Sequence, residues 1–370
     1  MKRVPSQDAT MRLVPADVPG ESDVMISLQR TRPLRGSWSL DDSGSTSTSR
    51  SQLNGSLYMD NPLRRNDMLT LGLSSGMTSR AGFGTSGYNA SYTMPFGNWR
   101  VSANGYGYRY QQVVSGTSST YPVSGQSQTG EVSVERLLAR GQRYRTSLGL
   151  RMGQRSSHTF VAGSELVTQA RRSTYATLAL NLRQYAGAAQ IDFRLAHKRG
   201  LPWLGGDRDE PGRPAMAPKY EYRIFSFDAS LGLPLKVGHL RSYWNSQMHW
   251  QHSGDVLFGS EYIAIGGRYT INGFDGERTL ASRSGGYWRN SLTFSIAPVF
   301  QPYVGVDVGK VKSHRAVGVE GGHLVGGYTG LRGQVRGGLG WDAFLGWPLQ
   351  RSELFESEGR SAGFRLYLQF

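Results

Sequence analysis

A hydrophobic alternation of period two recurs from one end of this chain to the other. Over 223–235 the apolar residues Phe225, Phe227, Ala229, Leu231, Leu233 and Leu235 alternate with Ser226, Asp228, Ser230 and Gly232. Successive side chains of an extended strand point to opposite faces, so each parity belongs to one face of a sheet. Leu178, Leu180 and Leu182 alternate in the same way with Thr177, Ala179, Asn181 and Arg183. Ile191, Phe193 and Leu195 do so with Asp192, Arg194 and Ala196. Charged residues keep to the polar parity.

About sixteen such segments begin near residues 34, 50, 67, 86, 98, 126, 142, 171, 187, 220, 238, 287, 301, 322, 334 and 362, at a mean spacing of roughly 20 residues. That suits strands of about 9–11 residues joined by alternately short and long connections, the arrangement of a transmembrane barrel. Sandwich strands are shorter and more evenly spaced. In hydrocarbon every backbone N–H and C=O needs an internal partner, so a spanning sheet must close on itself. The expected fold is therefore all-β, an antiparallel transmembrane barrel of about sixteen strands, wide enough to hold an aqueous lumen.

Composition removes the competing classes. The chain is 38% hydrophobic and has no apolar run of about 18 residues, so a helical span is excluded. It has no Cys, hence no disulfide framework, thiolate metal site or cysteine nucleophile. The net charge of +15 comes from scattered residues without a basic helix or a long like-charge run, which suits a polar lumen wall rather than nucleic acid. On parity, Arg145, Arg151, Arg183, Arg194, Arg241 and Arg365 face inward, with Asp192, Asp228 and Asp342 as candidate partners. The first twenty residues contain no apolar stretch of the kind a secretory signal needs, so no signal peptide is expected in this chain.

Two motifs that suggest chemistry have simpler readings. Gly72-Leu73-Ser74-Ser75-Gly76 fits the G-x-S-x-G pattern, but a nucleophile elbow needs a helix after it and none is indicated. His249 and His252 are three apart, which on a strand places them on opposite faces and away from a shared metal. No catalytic, metal or cofactor site is expected, and the chain does not read as an enzyme. It ends Ala362-Gly363-Phe364-Arg365-Leu366-Tyr367-Leu368-Gln369-Phe370, with Phe364, Leu366, Leu368 and Phe370 on one parity. This resembles the carboxy-terminal signal by which barrel assembly machinery recognises outer-membrane barrels.

Between two good strands lies a Gly-rich segment, Gly266-Gly267-Arg268-Tyr269-Thr270-Ile271-Asn272-Gly273-Phe274-Asp275-Gly276-Glu277-Arg278-Thr279-Leu280. Its core, Ile271, Asn272, Gly273, Phe274, Asp275 and Gly276, resembles the V-R-G-F/Y…D-G-E-R loop of two-partner-secretion (type V) transporters, the ShlB/FhaC/HecB (TpsB) haemolysin secretion/activation family. In that family the loop folds back into the lumen and its Arg meets an acidic residue in a G-x-D element. Gly305, Asp307 and Gly309 supply such an element on one parity. Asn272 stands where the family's Arg is expected, and Arg268 and Arg278 are the candidate substitutes. Leu40–Ser45 and Asp60–Asp67 resemble the first hairpin and turn of such barrels, and Leu13–Val24 the tail of a second POTRA domain.

The resemblance implies a remnant of that POTRA domain with its linker over 1–30 and a barrel over 31–370. It also implies an inward-folding loop at about 258–286. The implied function is an outer-membrane pore that translocates an unfolded exoprotein of haemolysin or adhesin type. A secreted partner, outer-membrane lipid and the barrel assembly machinery are the implied contacts, and a monomer is expected. A passive diffusion porin and a truncated, secretion-incompetent remnant are the alternatives.

Overall fold

Sixteen antiparallel strands close into one barrel in a computed structural model that describes residues 4–18, 20–78, 80–115, 119–313, 321–353, 355 and 359–370. Residues 1–3 and Pro19 of the amino-terminal segment read from the sequence lie outside the described residues. The strands are β1 (Leu34–Asp41), β2 (Ser51–Asp60), β3 (Met68–Met77), β4 (Gly84–Phe96), β5 (Trp99–Ser115), β6 (Thr120–Arg140), β7 (Tyr144–Val161) and β8 (Arg171–Ala186). They continue as β9 (Ala189–Leu201), β10 (Arg223–Val237), β11 (Leu240–His252), β12 (Gly285–Ser295), β13 (Gln301–Val311), β14 (Gly322–Gln334), β15 (Leu339–Arg351) and β16 (Ser361–Gln369). Every one of the sixteen starts read from the alternation lies within about six residues of an observed start.

Closure is made where β16 pairs with β1, from Arg365 opposite Asp41 to Gln369 opposite Ser37. The ladder is completed by mutual hydrogen bonds between Gly36 and Phe370, at 2.9 and 3.0 Å. With both edges paired, no backbone row is left for lipid to solvate, which is the condition for crossing hydrocarbon. The apolar parity points outward. Leu73 is 68% exposed and Leu195 56%, a placement that only a lipid-facing surface makes favourable.

Several strands exceed the expected 9–11 residues. β6 has 21 residues and β7 has 18. Hairpin partners go on satisfying each other's backbone groups beyond the apolar band, so nothing stops the pairing at the membrane boundary. One rim carries short turns, such as 97–98, 187–188 and 238–239, and the other carries the long connections 42–50, 202–222 and 253–284.

The turn at 61–67 is larger than a tight turn because it wraps a buried carboxylate. Asp67 accepts the N–H groups of Leu63 and Arg65 at 3.0 and 3.1 Å and the Tyr92 hydroxyl at 3.0 Å. Ahead of the barrel, Gln7–Pro15 and Ser22–Arg30 form an antiparallel hairpin. The Ser6 N–H donates to Asp60 Oδ2 at 2.7 Å, tying this hairpin to the end of β2. Gly72–Gly76 lies within β3, with no helix after it, and cannot form an elbow.

Candidate functional site: a loop clamped to the barrel wall

The connection 253–284 leaves β11 and re-enters at β12, folding on itself as a small hairpin in which Ile263–Ile265 pairs with Leu280–Ser282. Gly-rich sequence lets it turn sharply and approach other backbone closely. Ile263, Ile265, Ile271 and Phe274 from the loop pack with Val311 of β13, Leu324 of β14 and Phe355 into one buried cluster. Ile265, Ile271 and Leu324 are fully buried. Burying each such side chain contributes about 1.5–3 kcal/mol, so the cluster alone gives the loop a preferred seat.

Asp307 lies at the centre of the polar attachment. It faces the loop from β13, fully buried, and its Oδ2 accepts the backbone N–H of Asn272 at 2.9 Å. Oδ1 accepts the Asn290 N–H at 3.2 Å, and Arg289 Nε lies 3.4 Å from Oδ2. The same guanidinium donates from Nη1 to Tyr269 O at 3.2 Å and from Nη2 to Arg268 O at 3.3 Å. Arg289 therefore holds the carboxylate and two loop carbonyls at once, a use of its planar fork that Lys could not reproduce.

This corrects the assignment of the loop's missing cation. The cation paired with Asp307 is Arg289, directly opposite it in the β12–β13 register, and not Arg268. Arg268 is committed elsewhere, donating to Asp42 Oδ1 at 3.1 Å and lying over the Phe344 ring at 4.8 Å. The Asn272 side chain does not reach Asp307 either. Its Oδ1 accepts the Gly273 N–H at 2.9 Å, so the contact with Asp307 is made by main chain and does not depend on side-chain identity.

Gly273 adopts a φ of 113°, open to glycine and strained for other residues. A Cβ there would lie 2.5 Å from Trp347 O, and one on Gly346 would lie 2.8 Å from the Gly273 Cα. A Cβ on Gly326 would overlap Asn272 O. The tip thus lies against bare backbone of β14 and β15. In the G-x-D-x-G element, Gly305 leaves room for the Tyr328 ring and Gly309 for Ile271 and Ile265. Asp275 receives the Glu277 N–H at 3.0 Å, while Gly276 packs against Gly267.

Further anchors span the barrel. Glu261 receives Lys198 of β9 at 2.6 Å and pairs with Arg155 of β7 at 3.7 Å. Glu277 accepts the Ser45 hydroxyl at 2.8 Å and the Thr46 N–H at 2.7 Å from the β1–β2 connection. Sequence reasoning named none of Arg289, Glu261, Lys198 or Arg155. Arg289 had a usable signal, since parity and register together place it beside Asp307.

Elsewhere on the polar wall, Arg183 meets Asp192 at 2.6 Å and Arg194 meets Asp228 at 3.9 Å. Arg145 and Arg151 pair instead with Glu135 and Glu131. Asp342 accepts the Tyr303 hydroxyl at 2.8 Å. His249 bonds Asp228, while His252 contacts Ser284, and no metal-binding group of residues occurs among the described residues. Phe364, Leu366 and Leu368 lie exposed on the outer face of β16, and Phe370 is exposed just after it.

The haemolysin secretion/activation protein ShlB/FhaC/HecB family matches residues 20–333. The outer membrane transporter CdiB-2 of Burkholderia pseudomallei (strain 1026b) is 33% identical over all of this chain and 64% of its own length. The outer membrane transporter CdiB of Dickeya dadantii (strain 3937) is 29% identical over all of this chain and 66% of its own length. The chain thus spans slightly less than two thirds of these relatives. In fold it resembles CdiB from Escherichia coli, with a TM-score of 0.90, 24% identity and coverage of 98% of this chain and 67% of that one.

Proposed function

Since this chain belongs to the haemolysin secretion/activation ShlB/FhaC/HecB family, whose relatives are transporters of the bacterial outer membrane, we propose that its barrel is a protein-translocation pore with the 253–284 loop seated in the lumen. An unfolded exoprotein of haemolysin or adhesin type threads that lumen from periplasm to exterior, and the loop gates or steadies the passage. The observation that carries this reading is the three-way contact of Asp307 with Asn272 N–H, Arg289 and Asn290 N–H. A buried carboxylate with its partners in place is a specific seat for the loop, which a merely open channel has no need of. The wall suits an unfolded chain, because its paired charges leave few strong single binding points.

The hairpin Gln7–Pro15 and Ser22–Arg30 is assigned here to the tail of a POTRA domain that captures the secreted partner. The outer face of β16 is assigned to recognition by the assembly machinery. Single-channel recording in a planar bilayer tests the pore. The wild type is expected to show small, fluctuating conductance that becomes large and steady when 268–280 is deleted. A large, steady wild-type conductance unchanged by the deletion overturns the seated loop and favours a passive porin.

A further inference from the structure

A shallow, open groove of about 760 Å³ lies on the outer face of β11–β14, near the rim that carries the long connections. The register builds it in two cross-strand rows. Met248, Trp288, Val308 and Val325 stand opposite one another across the four strands, an apolar row. One pleat nearer the rim the row is Trp250, Gly286, Lys310 and His323. Gly286 lets the Trp250 side chain lie close over the strand beside it: a Cβ there would come within 2.7 Å of His249 O and 3.2 Å of the Trp250 ring. Trp250 and Trp288 stand in these two rows, each a little under half exposed. Lys312 and His252 complete the rimward end.

We propose that this groove binds one molecule of the phosphorylated, multiply acylated glycolipid of the outer leaflet, with an acyl chain along the apolar row and a phosphate on Lys310 and Lys312. The inference rests on the outer-membrane placement and not on the pore. Three features select this occupant. Barrels of this class carry short turns on the periplasmic side and long loops outside, so the groove opens into the outer leaflet. Its charge is cationic at the headgroup end only, and ammonium groups bind phosphate by charge-assisted bonds. Its inner end is a wholly apolar cross-strand row that matches an acyl chain, with the charge kept to the rimward row. The site also touches the loop, because Lys312 N–H donates to Ser284 O at 2.9 Å and Ser284 Oγ contacts His252 Nδ1 at 3.1 Å.

Native mass spectrometry of the refolded full chain tests this, using bis-phosphorylated lipid A, its dephosphorylated form and phosphatidylglycerol as probes. One retained bis-phosphorylated lipid A is expected on the wild type, with retention weakened roughly tenfold or more by Lys310→Ala/Lys312→Ala and by dephosphorylation. Trp288→Ala is expected to weaken all acylated probes. Lys236→Ala, at the opposite rim, should leave retention unchanged. Heat-modifiable gel migration confirms that each variant is a closed barrel. Equal retention by the wild type and the double lysine variant overturns the proposal. So does equal retention of the three probes by the wild type.

Discussion

Replacing Arg289 with Met removes the guanidinium that joins Asp307 to the loop while preserving most of the side chain's bulk. Three bonds are lost, to Asp307 Oδ2 at 3.4 Å and to the carbonyls of Tyr269 and Arg268 at 3.2 and 3.3 Å. Asp307 then remains fully buried with only two backbone N–H donors. Removing one partner of a buried pair costs about 3–5 kcal/mol. The bonds are long and the Arg289 side chain is 24% exposed, so the lower end applies, about 3 kcal/mol, or on the order of a hundredfold in the seated-to-released ratio. Because the chain has no Cys, Ile271→Cys supplies a unique thiol that is fully buried when the loop is seated. Its labelling rate by a small thiol reagent should rise roughly a hundredfold in the Arg289→Met background. Adding Asp307→Asn to that background should recover part of the loss, since the orphan charge is gone, although Asp307→Asn alone destabilises. An unchanged labelling rate in Arg289→Met would refute the clamp.

The same thiol reports on the loop's tip. Gly326→Ala should speed labelling at least tenfold, because the new Cβ occupies the place of Asn272 O, whereas Asn272→Ala should change it by less, losing only a side-chain bond to Gly273 N–H worth about 1 kcal/mol. A pH response is expected at Asp255, outside the spanning strands. Burial pushes its carboxyl up, but Lys219, the Arg223 N–H and the nearby Arg223 charge outweigh that and hold it below the ordinary range. A depressed carboxylate stabilises fully above its unfolded pKa of about 3.9 and loses that contribution as pH falls through the lower folded value. Limited proteolysis by an acid-active protease should therefore cut 202–222 or 253–262 increasingly below about pH 4, and Asp255→Asn should abolish the step. A cleavage rate flat with pH in the wild type would count against it.

Strand positions and facing were legible because lipid outside and water inside impose opposite demands on alternate residues. That demand is repeated in every strand, so even imperfect segments such as Ile191–Ala196 could be placed. Strand length was less legible. The extension of β6 and β7 is driven by hairpin pairing, which needs no apolar alternation and leaves no mark in it. Asp307 and the loop's Gly-rich tip could be singled out from the sequence, but the cation could not be chosen by looking within the loop. It lies on β12, and locating it requires the β12–β13 register, set by the turn at 296–300 rather than by any motif. Glu261 with Lys198 and Arg155 joins residues far apart in sequence through the curvature of the closed barrel, and no local pattern carries that.

Asp42 serves two masters. Its Oδ1 receives Arg268 of the loop at 3.1 Å and the main-chain N–H of Phe364 in β16 at 2.9 Å. Since β16 is the last strand of the barrel, this carboxylate can hold both only after the final strand has zipped against β1. Seating the loop and completing the cylinder thus become linked steps, each favouring the other by the same free energy. An unfinished barrel holds its loop loosely, and a finished one whose loop is pulled away has a slacker final joint.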